Sequence, residues 1–341
     1  MACLAWLLAC PAANTDLTLL SGSWPPRPPQ SPSPHAVLLV VPGMKSSVAV
    51  ARNVVSNVEH MGGQPFSCVV FLYQPALPVN DSEAQLQQVF DVREAQPETQ
   101  LHKMCTVMRW VGRNVIDYLK LLDAKVTRGF GGGVLVCLDD DVVQFPLHQF
   151  LCTARRLQLD VASPAIIRDE ADRWATHAWG WPLMIRREYA GVARVVTVVE
   201  LHVTHFSPRA WACYQSLLDP VLNWGGYGYD VWLLNYMVEH CAIREPIMGI
   251  IDGYTATHAH HRLTHNAEVG PRFQPASRNG SYSRVEQMLR MEKAMGERGT
   301  PVRHACFYRK DKPCKKDPML STESPSNESI LQLQNPCTRA T

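Results

Sequence analysis

The sequence predicts an α/β fold, a Rossmann-type mixed, mostly parallel sheet flanked by helices on both faces. Three observations predict it. Short apolar runs at 36–41, 66–73 and 134–138 have the composition of strands buried on both sides. Segments with helical spacing or helix-start signals alternate with them, the order expected of strands joined by helical crossovers. No internal repeat competes with that reading. The chain of 341 residues, 46% hydrophobic and 19% charged, can bury a sizeable core. A formal net charge of +2 gives no reason to invoke nucleic acid.

In chain order, residues 1–20 read as a weak signal-like leader. Its apolar stretch lacks a basic start and is too short to cross a bilayer, so membrane association through a missing or truncated N-terminal anchor stays open. Residues 21–34, dense in proline and serine, read as an extended, unpacked stem or linker. A catalytic domain is expected over 35–265. Strand 36–41 is followed by helix 46–60, strand 66–73 and a polar loop with some helix over 75–100. Apolar spacing through Val107, Val111, Val115, Tyr118 and Leu122 predicts one helix over 104–122. Strand 134–138 comes next, then helix 146–159 and strand 161–167. The β-branched run 194–203 predicts a long strand. Ser207-Pro208 is a helix start, serine as cap and proline in the first turn. A helix over 230–241 and a last core strand over 246–251 complete the domain. Residues 266–341 read as a polar, partly disordered tail with one short helix, begun by a Ser283/Glu286 capping box.

Eleven cysteines without a CxxC pair argue against a zinc ribbon. Cys68 and Cys137 fall in apolar runs and read as small buried hydrophobes. Cys306, Cys314 and Cys337, with glycosylation-type triplets at Asn80, Asn279 and Asn327, suit an oxidising compartment. These features lean towards the secretory pathway, Golgi or ER lumen, and leave a cytoplasmic location open.

The run 134–138 leads straight into Asp139-Asp140-Asp141, and ligands of open α/β sheets bind beyond the carboxyl ends of strands. Asp139 and Asp141, one residue apart, can face the same way and hold a hard divalent cation, Mn²⁺ or Mg²⁺, on a nucleotide diphosphate. An acidic turn is the plainer alternative. In Trp224-Gly-Gly-Tyr-Gly-Tyr-Asp230, aromatic faces suit sugar rings and Asp230 can accept a hydroxyl proton, or it simply caps the next helix. In Asp252-Gly-Tyr-Thr-Ala-Thr-His258-Ala-His260-His261, His258 is the preferred cation ligand, ahead of His260 and His261. Lys45, just past the first strand, can meet a phosphate as a point charge or stay a solvated surface lysine. Trp179, Trp181 and Trp224 suit an acceptor groove or plain core packing. Gly129-x-Gly131 precedes a strand and lacks the third glycine, so it is no dinucleotide fingerprint.

Taken in order, "VLLVVPGMK", "FSCVVFLY", "VLVCLDDDV", "DVASPAI", "VELHVTHFSPRAWACY", "WGGYGYD" and "GIIDGYTATHAH" resemble the DUF707 proteins of plants and algae over about 36–261. That family is glycosyltransferase-like with a GT-A fold. The resemblance implies a nucleotide-diphospho-sugar donor bound through Mn²⁺ or Mg²⁺ on Asp139 and Asp141. It also implies His258 as third ligand, Asp230 as acceptor-side base and a carbohydrate acceptor. The chain departs from the family by extra Gly-Tyr residues before Asp230 and by Asp140 in place of a glutamate. A phosphate-ester metallohydrolase and a non-catalytic carbohydrate-binding relative are the rival readings.

Overall fold

The protein is described by a computed structural model over residues 17–30, 33–45, 48–73, 96–110, 115–137, 142–143, 146–167, 193–223, 226, 228–258 and 284–297. Its strands are β1 Leu17–Ser21, β2 Val37–Lys45, β3 Phe66–Tyr73, β4 Thr106–Trp110, β5 Val134–Cys137, β6 Val142–Val143, β7 Val161–Ile167, β8 Arg194–Val195, β9 Val203–Phe206 and β10 Met248–His258. Its helices are α1 Val48–Glu59, α2 Gln96–Met104, α3 Val115–Lys120, α4 Ala124–Thr127, α5 Leu147–Arg156, α6 Pro208–Leu217, α7 Tyr229–His240 and α8 Arg284–Glu297.

The strands form one sheet in the order β1-β4-β3-β2-β5-β9-β7-β10-β6, with β8 also on β10. Pairing makes β2, β3, β4, β5, β7 and β10 run one way, and β1, β6, β8 and β9 the other. The mixed, mostly parallel α/β sheet is as expected. From β2 the chain builds outward through β3 and β4, then returns to place β5 on the other side of β2. That reversal opens a crevice at the carboxyl ends of β2 and β5.

Both faces are covered because successive residues of a strand point to opposite sides. Leu38 and Val40 pack with α3, α6 and α7, whereas Val37, Leu39 and Val41 pack with α1 and α5. The sheet is tied at its amino edge by Asp160, which is 2% exposed. Its carboxylate accepts from Arg209 Nε at 2.6 Å and Nη2 at 2.8 Å, from Ser207 Oγ at 3.0 Å and from the Ile247 N–H at 3.1 Å. One acid thus joins β7, the start of α6 and the approach to β10. Ser207 also caps α6 as expected, accepting from the Ala210 N–H, with proline at the first helical position. Gly133 enters β5 at φ +93°, and a Cβ there would collide with the Phe206 carbonyl of β9, so only glycine fits.

Four expectations are corrected. Residues 104–122 are not one helix: α2 ends at Met104, and β4 and α3 follow. Val107 and Met108 enter opposite core clusters, which only an extended backbone allows. The run 194–203 is not a long strand: Arg194–Val195 pair with β10 at its start, Val203 begins β9 at its end, and the residues between join no ladder. Val198, Val199 and Leu201 are buried by packing outside any ladder before β9 begins. The last core strand does not stop at Ile251, since a register shift between Ile251 and Thr255 lets β10 continue to His258. Residues 21–34 are not an unpacked linker. β1 pairs antiparallel with β4, Trp24 meets Phe71 edge-on at 6.2 Å, Pro26 is buried and Ser67 Oγ donates to the Arg27 carbonyl. The helix expected near residue 283 is present as α8, and it inserts Met291 and Met295, both fully buried, into the main core. Among the described residues no helix is long and apolar enough to cross a membrane.

Candidate functional site at the carboxyl edge of the sheet

The parallel strands all end on one edge. β2 ends at Lys45, paired there with Tyr73 of β3. β5 ends at Cys137, with Leu138 alone between it and the acidic triplet. Asp139 and Asp141 themselves lie outside the described residues. Their flanks do not: β6 begins at Val142 and pairs antiparallel with the end of β10, Val142 opposite His258 and Val143 opposite Thr257. The backbone therefore holds His258 directly across from the residue that follows Asp141. Lys45 stands at the same edge beyond β5, on the strand forming the crevice. His260, His261, Trp179, Trp181 and Trp224 lie outside the described residues.

Asp230 is reached through the helical layer. Gly43, near the end of β2, lies against Val115 of α3, and Gly226 lies against the neighbouring Ile116. Gly226, ahead of α7, thus lies against the same helix, α3, that packs on Gly43. Asp230 is not the cap of α7: Gly228 holds that position at φ +85°, which suits glycine, and Asp230 falls in the first turn. Burial pushes its carboxyl up to about 6, against the pull of the backbone N–H groups of Val231 and Asp230. Tyr229 is no stacking platform. Its ring is fully buried, and its hydroxyl donates to the Asp219 and Asn223 carbonyls while accepting from the Asp219 N–H.

Asp252 is absorbed by the fold. It sits inside β10, 3% exposed, paired with Arg194 Nε at 2.7 Å. Sequence reasoning did not place the turn at Glu200–His202 at this edge. Val203 pairs with Cys137 in antiparallel register, so the residues ahead of Val203 and those after Cys137 leave at the same edge. His202 is 3% exposed, and its Nδ1 faces the Glu200 carbonyl at 3.2 Å. Thr204 Oγ1 donates to that same carbonyl at 3.3 Å. The signal available was two polar residues inside an apolar, β-branched run. Among the described residues no group of three or more His, Cys, Asp or Glu side chains is placed to hold a metal.

No family model and no curated protein matches the chain. Solved structures do. TarS of S. aureus aligns with 65% of this chain and 36% of its own at 11% identity and TM-score 0.34. TarS 1–349 in complex with UDP aligns with 65% of this chain and 60% of its own, at 12% identity and TM-score 0.35. The mannosyltransferase PcManGT of Pyrobaculum calidifontis, in complex with GDP-Man and Mn²⁺, aligns over 80% of this chain and 73% of its own, at 14% identity and TM-score 0.35. The likeness is distant. This chain therefore spans less than two thirds of either TarS chain.

The backbone places Lys45 and His258 at this edge, His258 opposite the residue that follows the acidic triplet, and the carboxyl of Asp230 in α7 is raised to about 6. Such a set can meet an anionic phosphate ligand and take up a hydroxyl proton.

Proposed function

We propose that the chain is a metal-dependent glycosyltransferase of GT-A-like fold, in keeping with its DUF707 resemblance, that moves a sugar from a nucleotide-diphosphate donor to a carbohydrate acceptor. The observation that supports the reading is the backbone pairing of His258 with Val142, the residue that directly follows the acidic triplet in sequence. Asp139, Asp141 and His258 are residue types that suit Mn²⁺ or Mg²⁺ and would be the groups to hold the cation. Once bound, the cation neutralises charge on the diphosphate.

This chain's own residues supply the rest. Lys45, at the crevice between β2 and β5, meets a phosphate oxygen. Asp230, with its carboxyl raised to about 6, is matched to accept an acceptor hydroxyl's proton near neutral pH, a contribution of ~10²–10⁴-fold. Positioning in the crevice supplies the remainder. The disulfides Cys68–Cys105 and Cys213–Cys241 favour an oxidising lumen, Golgi or ER, as the place of folding.

Calorimetry with UDP and GDP, with and without Mn²⁺, tests the reading. Wild-type protein is expected to bind at least one of them in a Mn²⁺-dependent way, and Asp139→Ala and Asp141→Ala are expected to lose that binding. Failure of the wild type to bind either diphosphate overturns it. Sugar binding that survives chelation and Asp139→Ala favours a non-catalytic carbohydrate-binding protein instead.

A further inference from the structure

α7 begins without a side-chain cap, because Gly228 holds the cap position and has no side chain to meet the first N–H groups. Helix ends left this way fray unless something else holds them. Here the first helical residue does so. Tyr229 is fully buried, its ring edge-on to Tyr214 of α6 at 6.2 Å, and Tyr214 stacks on Phe206 of β9 at 4.8 Å. The Tyr229 hydroxyl accepts from the Asp219 N–H at 2.8 Å. Its one proton is shared between the Asp219 carbonyl at 3.0 Å and the Asn223 carbonyl at 3.2 Å. The turn that receives it is itself knit together. Asp219 Oδ1 accepts from the Val221 and Leu222 N–H groups, and the Asn223 N–H donates to the Asp219 carbonyl. The buried Asn223 takes the Gly226 N–H on its Oδ1. One phenol thus ties the first turn of α7 to a stiff turn through its hydroxyl and to the sheet through its ring.

Asp230 is the next residue. Successive side chains of a helix are rotated by roughly 100°, so with Tyr229 aimed into the core Asp230 stands to one side and keeps part of its surface open. A base for an incoming hydroxyl needs surroundings that raise its carboxyl and a face that a ligand can reach. Both depend on the angle of this first turn. The Asp230 charge also reaches Tyr214, whose phenol is held well above its ordinary range by burial first, then by Tyr229 and Asp230. Tyr214 is therefore uncharged wherever Asp230 titrates. We propose that Tyr229 is a positioning residue, whose hydroxyl, clamped by the turn 219–223, fixes the aim of the Asp230 carboxyl towards an acceptor hydroxyl. This inference rests on the reading of Asp230 as acceptor-side base and deepens it by naming the group that holds that base in place.

Tyr229→Phe keeps the ring and removes the clamp. The Asp230 carboxyl is titrated by carbon-13 NMR from pH 4 to 8 in wild type, Tyr229→Phe and the double variant Cys213→Ser/Cys241→Ser. Its signal is assigned by its loss in Asp230→Asn. The double variant frees the far end of α7 and controls for a general loss of stability. Calorimetry with UDP and GDP in Mn²⁺ is run on the same proteins. In Tyr229→Phe water is expected to reach the carboxyl, which then holds its proton about tenfold less tightly than in wild type. The disulfide variant is expected to titrate as the wild type does, and both variants to bind the diphosphate unchanged. Identical titrations of Tyr229→Phe and wild type overturn the inference alone. An equal shift in the disulfide variant also overturns it, since the effect would then be one of stability. So does a loss of diphosphate binding in Tyr229→Phe, which would put the clamp on the donor side. A wild type that binds neither diphosphate removes the parent reading, and this one with it.

Discussion

At Asp230 the charged carboxyl is the disfavoured form, because burial removes water that the first-turn N–H groups only partly replace. Its ordinary value is 3.8 and its folded value about 6, so between about pH 4 and 6 the folded chain holds this proton more tightly than the unfolded one. Stability from this group therefore falls as pH rises through that window. His205 in β9 does the reverse. Burial lowers it to about 4 from 6.5, despite a 2.7 Å hydrogen bond from Nε2 to the Gly132 carbonyl, and its contribution is lost as pH falls from 6.5 towards 4. Each effect amounts to roughly 3 kcal/mol at most, and the two oppose one another. Asp230→Asn is expected to unmask the His205 slope: more stable than wild type at pH 7, with less gain near pH 4. Thermal melts from pH 4 to 8 check this, and curves that run parallel for the two proteins contradict it.

The elements meet at Asp160, where one buried carboxylate serves a strand, a helix start and a second strand's approach. Asp160→Ala strips partners from Ser207 and the Ile247 N–H together, and is expected to cost about 2–4 kcal/mol in urea unfolding. A loss below ~1 kcal/mol would show that water replaces the carboxylate at little cost. Elements buried on both faces were readable from composition, which is why β2, β3, β5 and β7 fall where apolar runs predict them. α6 was readable because Ser207 and Pro208 act locally. β4 was not: its valines fit a helical spacing that continues by chance into α3, and only pairing with β3 and β1 decides against it. The same division holds at the site. Lys45 and His258 stand out as polar ends of apolar strands. The place of Glu200 and His202 was not legible, because it follows from the antiparallel return of β9, a long-range pairing with no local periodicity. Asp230 looked like a cap because Gly228, the real one, has no side chain to announce it.

At the scale of the whole molecule, two disulfides among the described residues tie one element to another. Cys68 of β3 joins Cys105, between α2 and β4, and Cys213 of α6 joins Cys241 at the end of α7. Cys68 is accordingly not the simple buried hydrophobe its apolar setting suggests. The double replacement Cys213→Ser/Cys241→Ser removes a closure of 28 residues and is expected to cost about 2–4 kcal/mol. A melt of the oxidised protein beside the double variant measures it, and an unchanged midpoint would show that the bond is absent in solution. The N-terminal strap has a consequence of its own. β1 occupies the outer hydrogen-bonding side of β4. A shortened chain begun at His35, where composition alone invites the cut, would bare that row of amides and carbonyls and become prone to stick to its own copies. Recombinant versions for crystallisation or assay are best started before Leu17.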